Sequence, residues 1–122
     1  MNFKNLIILF LMTSFLGCSR DYKIEPHELP VGYVGKPYSQ FIKITGGKVS
    51  KQYFELYANI PENQEVKITP VDDIDGYNHI KIDGIPKYKG KYKIIINAYF
   101  YGRGDDKLNK TYEFVVEEGF VA

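Results

Sequence analysis

The chain has one cysteine in 122 residues, no tryptophan, two histidines and two methionines. A lone cysteine excludes an internal disulfide framework. Two histidines with no motif around either give no Ser-His-Asp or Cys-His arrangement for nucleophilic catalysis. Charge of one sign is also lacking. Sixteen basic residues stand against fifteen acidic ones, so no electrostatic field draws the chain onto nucleic acid. There is no apolar run long enough for a comfortable membrane span either. The longest, Leu6 to Leu16, is interrupted by Thr13 and Ser14. As a helix it rises about 16 Å, roughly half a bilayer.

What is present begins with that run. Lys4 is the only charge before Arg20, so a basic n-region precedes a short h-region, the pattern of a secretory signal. It ends in Phe15-Leu16-Gly17-Cys18-Ser19. The stretch resembles the lipobox of bacterial lipoproteins, although Phe15 replaces the usual leucine. The resemblance implies cleavage after Gly17, a diacylglycerol thioether on Cys18, and acylation of the new amino group by a fatty acid such as palmitate. Ser19 after the lipidated cysteine then implies sorting to the outer membrane of a Gram-negative envelope. A thiol capped in this way is no liability in an oxidising compartment. Several acyl chains make such an anchor effectively permanent. Removal of residues 1–17 leaves a near-neutral body of 105 residues, the size of one domain.

Aromatic residues are abundant in that body. All eleven tyrosines lie between Tyr22 and Tyr112. Tyrosine favours strands, where the ring packs on the pleated surface and the hydroxyl stays wet. Residues 18–30, with Pro26 and Pro30, read as a tether, within which Tyr22–His27 offers an optional first strand. From Tyr33 the apolar pattern has period two, punctuated by glycine and proline. It predicts strands at Tyr38–Thr45, Gln52–Tyr57, Glu65–Thr69, His79–Ile82, Lys91–Tyr101 and Thr111–Glu118. Turn residues separate them, notably Gly46-Gly47, Asp72 to Gly76 and the polar stretch from Gly102 to Asn109. These six strands, about seven with the optional first, imply an all-β sandwich whose body is residues 31–122. Tyr92, Ile94, Ile96, Ala98 and Phe100 are expected in the core, with Tyr112, Phe114 and Val116 beside them.

The stretch Leu29-Pro30-Val31-Gly32-Tyr33-Val34-Gly35-Lys36-Pro37-Tyr38 resembles the opening of bacterial Ig-like and cadherin-like domains. Gly46-Gly47 matches their following glycine turn. Ile82-Asp83-Gly84-Ile85-Pro86 and Gly90-Lys91-Tyr92-Lys93-Ile94 match their approach to the penultimate strand. Asn59 to Asn63 departs from the family's central glycine-rich segment. The resemblance implies an Ig-like antiparallel sandwich. It also invites reading Tyr92 as a tyrosine corner whose hydroxyl holds the loop before it. Turn motifs certify architecture and leave activity open.

Few residues invite a chemical role. Asp72, Asp73 and Asp75 lack the spacing of a calcium loop and read as a solvated turn. Arg103-Gly104-Asp105 reads as a glycine-rich hairpin tip. His27 and His79 make no evident metal pair, so neither a metal nor a cofactor is expected. Outward parity on the Lys91–Tyr101 strand leaves Lys93, Ile95, Tyr99 and Tyr101 as the binding candidates, since exposed aromatics dock proteins or stack on sugars. The chain therefore reads as non-enzymatic, held to the membrane by its N-terminal lipid and serving a protein partner. A periplasmic immunity or inhibitor lipoprotein and a glycan-binding module are the alternatives.

Overall fold

The computed structural model describes residues 21–74, 76–102 and 107–119. Eight strands make two four-stranded sheets packed face to face. Their bounds are β1 (Lys23–Glu25), β2 (Gly32–Tyr33), β3 (Tyr38–Thr45), β4 (Glu55–Ala58), β5 (Val66–Pro70), β6 (His79–Gly84), β7 (Gly90–Tyr99) and β8 (Lys107–Glu117), with one 3-10 turn at Glu62–Gln64. The first sheet has the order β1-β3-β6-β5, the second β2-β8-β7-β4. All pairs are antiparallel except β2 with β8, which is parallel.

Period-two alternation builds the core. Ile42 and Ile44 of β3 and Ile80 and Ile82 of β6 point inward from the first sheet. They meet Ile94, Ile96 and Ala98 of β7 and Tyr112, Phe114 and Val116 of β8. The inward set read from the sequence is therefore correct, with Tyr92 half-buried at its margin. Each large side chain so buried contributes roughly 1.5–3 kcal/mol against chain entropy.

Several boundaries differ from the sequence reading, each for a local reason. The optional first strand exists but is short. Lys23, Ile24 and Glu25 pair with Thr45, Ile44 and Lys43, and Tyr22 and Ile24 pack on the core. The span 18–30 is thus not a free tether from Asp21 onward. After β1 the chain crosses to the other sheet. Two buried tyrosines hold the crossing, the Tyr112 hydroxyl donating to Pro26 O (2.6 Å) and the Tyr38 hydroxyl to Pro30 O (2.9 Å). The fourth strand starts at Glu55, because residues 51–53 form a turn. Strand β5 starts at Val66, since Glu65 has a left-handed φ of 60° and cannot extend the ladder. Strand β8 starts at Lys107, in register with Tyr99, so cross-strand pairing overrides the polar composition of residues 107–110.

Gln64 is fully buried and organises the end opposite the first residues of β1. Its Oε1 accepts from Lys87 N (2.8 Å) and Tyr88 N (2.7 Å). Its Nε2 donates to Tyr88 O (2.6 Å) and the Tyr92 hydroxyl (2.9 Å). The Tyr92 hydroxyl therefore holds the preceding loop through Gln64, where the sequence suggested a direct bond.

Candidate functional site

The strand directions gather seven strand ends at one pole. These are the starts of β1, β4, β6 and β8 and the ends of β3, β5 and β7. The loops there interlock. Asn78 accepts from Val49 N (3.1 Å) and donates to Ile44 O (3.0 Å) and Gly47 O (2.7 Å). Ser50 N donates to Tyr99 O (2.7 Å), Tyr101 N to Lys48 O (2.9 Å) and Tyr77 N to Val49 O (3.3 Å). Gly76 has a φ of +138°, and a Cβ on it would lie 2.2 Å from Val49 O, so only glycine fits that approach. Tyr22 stacks on Phe100, with centroids 3.9 Å apart, which fixes the first described residues to the same pole.

An open groove of about 870 Å³ lies beside these loops, lined by Ser50, Tyr53, Phe54, Glu55, Tyr99 and Tyr101. Phe54 is set edge-on to Tyr77 at 5.4 Å. Tyr53 and Tyr101 are 61% and 50% exposed. Lys51 connects the groove to the 71–78 loop. Its backbone N–H donates to the Tyr101 hydroxyl (3.2 Å), and its ammonium pairs with Asp72. The hydrogen bond to Asp72 holds the Lys51 ammonium above its ordinary pKa.

The structure divides the four binding candidates. Tyr99 and Tyr101 reach the groove. Tyr101 is not on the strand face as its parity implied, because β7 ends at Tyr99 and Phe100 bridges to Val49. Lys93 and Ile95 instead belong to the outer face of the β4–β7–β8 sheet. Ile95 stands between Tyr57 of β4 and Thr111 of β8, and Lys93 lies opposite Glu113. The Lys93 N–H donates to Asn59 Oδ1 (2.7 Å), which extends the β4 pairing by one residue. Tyr57, 59% exposed, is the residue that sequence reasoning missed. Its outward parity was readable, but its place beside Ile95 depends on a register that the sequence does not reveal.

The other candidates gain no shared site. Asp72 is paired with Lys51, and Asp73 forms a bridge with Gly76. His27 is exposed, and His79 is half-buried at the start of β6. Among the described residues, no three His, Cys, Asp or Glu side chains form a group able to hold a metal. Gly17, Cys18, Asp75 and Arg103-Gly104-Asp105 lie outside the described residues.

The strand order decides the architecture. One sheet of β1-β3-β6-β5 facing β4-β7-β8, with β2 added alongside β8, is the ABED and CFG arrangement of immunoglobulin domains. The fold is an Ig-like β-sandwich. A point mutant of the SrpA adhesin from Streptococcus sanguinis has a similar fold, with a TM-score of 0.53 and 15% identity over 82% of this chain and 59% of that one. The chain thus spans about three-fifths of that adhesin structure's length. A chimeric titin Z1Z2 gives a TM-score of 0.48 at 17% identity, covering 82% of this chain and 98% of its own. The filamin domain of Lin-41 gives 0.46 at 11%, covering 82% and 95%. No protein-family model and no curated protein sequence matches the chain. Ig-like sandwiches serve many purposes, so function has to be argued from the surface.

Proposed function

We propose that the protein is a lipid-anchored component of the bacterial envelope, held in the outer membrane through Cys18, and that its Ig-like sandwich is a non-catalytic docking module for another protein. The observation that carries the docking role is the outer face of the β4–β7–β8 sheet. Tyr57 and Ile95 are adjacent and exposed there, flanked by Lys93 and Glu113 and ending at β4, the edge of its sheet. An aromatic and an aliphatic side chain ringed by charge is the composition of an interface centre. An edge strand also offers backbone groups to an added strand. Anchoring at Cys18 rests on the lipobox resemblance alone.

Crosslinking and capture of the full chain from its own cells tests the docking role. Tyr57→Ala combined with Ile95→Ser is expected to remove the protein crosslinked to the wild type, while leaving the thermal transition within a few degrees. Unchanged capture by the double variant removes this face as the docking site. Mass spectrometry of the N-terminal peptide tests the anchor, which predicts acyl chains on Cys18.

A further inference from the structure

We infer that the loop pole is a membrane-seating surface, with Tyr53, Ile74 and Tyr101 set into the headgroup layer of the bilayer that holds the N-terminus. This rests on the anchoring reading and deepens it. The first part of the argument is reach. Asp21 is packed at this pole, its carbonyl oxygen 2.7 Å from where a Cβ on Gly46 would lie, and Tyr22 is stacked on Phe100. Three residue steps separate Cys18 from Asp21, and an extended chain covers about 10 Å in three steps. The headgroup layer on each side of a bilayer is itself roughly 5–8 Å deep. A lipid on Cys18 therefore brings this pole within reach of the membrane.

The second part is the chemistry of that pole. Ile74 is 99% exposed in the 71–78 loop, the most exposed large apolar side chain among the described residues. A fully exposed isoleucine is poorly placed in water and well placed in an acyl boundary. Tyr53 and Tyr101 are the amphipathic rings that favour the headgroup level. The contacts of Asn78, Lys51 and Gly76 tie together the loops that present these side chains. Charge need not drive the seating, since the Lys51 ammonium at this pole is paired with Asp72. Zwitterionic lipid is then sufficient. Seated in this way, the sandwich stands with its strands rising from the membrane. The Tyr57–Ile95 face is left open at the side.

The absence of tryptophan makes the test direct, because one introduced tryptophan is the only indole signal. Full chain carrying Ile74→Trp, Tyr53→Trp or Ile85→Trp would be purified from bacterial envelopes and placed in phosphatidylcholine vesicles containing brominated acyl chains. Ile85 is an exposed residue of the β6–β7 loop at the opposite pole. Positions 74 and 53 are expected to shift to the blue and lose most of their emission to bromine, while position 85 keeps its emission. Equal quenching at 74 and 85, or none at 74 on a lipidated chain, overturns the inference and leaves the anchor standing. If mass spectrometry finds Cys18 bare, the anchoring reading falls. The thiol is then coupled to a maleimide phospholipid in the same vesicles. Quenching at 74 there supports the seating surface, and its absence overturns it.

Discussion

Gln64, between Asn63 and Glu65, has nothing in its sequence context to set it apart, yet its side chain makes four hydrogen bonds in a fully buried position. A polar residue of this kind is invisible to hydropathy patterning, which assigns it to a loop. Gln64→Leu keeps the volume and strands Lys87 N, Tyr88 N and the Tyr92 hydroxyl. At about 1–3 kcal/mol for a buried group left without a partner, urea unfolding is expected to show a loss of roughly 2–4 kcal/mol. The buried tyrosines make a second prediction at this scale. Burial pushes the Tyr38 and Tyr112 hydroxyls up to about 12 from an ordinary 10.0. A raised folded pKa means that the unfolded chain releases these protons first. The stability from the neutral hydroxyls is complete below pH 10 and is lost as pH rises from 10 towards 12. Absorbance titration at the phenolate band is expected to show late-titrating tyrosines, with chemical stability falling over the same range. Tyrosines that all titrate near 10 would contradict this burial.

At the level of the element, the long strands were legible because alternation is strongest where one face is buried. Strands β7 and β8 carry it, and their inward residues are those read from the sequence. Strand β2 was not legible. It has two residues and pairs in parallel with the far end of the chain, a contact that no local pattern encodes. The groove is half legible: parity finds Tyr99, whereas Tyr53 sits in a turn for which the sequence pattern predicts strand. Glycine turns give a graded test. Gly84 has a φ of +146°, and its Cβ would lie 2.1 Å from Glu65 O. Gly35, at φ +82°, has nothing within 4 Å. Gly35→Ala is expected to cost about 1 kcal/mol of backbone strain. Gly84→Ala should cost several times more, because it must also displace backbone. Comparable thermal shifts for the two would argue against the close approach of residues 65 and 84. Asn78→Ala is expected to cost about 1–3 kcal/mol and to raise amide exchange at Val49, whose N–H loses its acceptor.

On the scale of the whole molecule, the chain is a single sandwich whose sheets share one core, so unfolding is expected to be a single cooperative transition. Its two poles differ in kind. One is tied by a buried glutamine and gathers the β6–β7 loop with the 3-10 turn. The other gathers the aromatic groove and the first described residues. Strand β1 begins at this second pole, and β8 ends at the first, where Val34 N donates to Glu117 O (3.0 Å). The first and last described residues are therefore held apart by about the length of a strand, and the ten residues of β7 rise about 33 Å. A sandwich strung end to end in this way is a standoff. A contact made at the pole where β8 ends is held about the length of a strand from the pole where β1 begins.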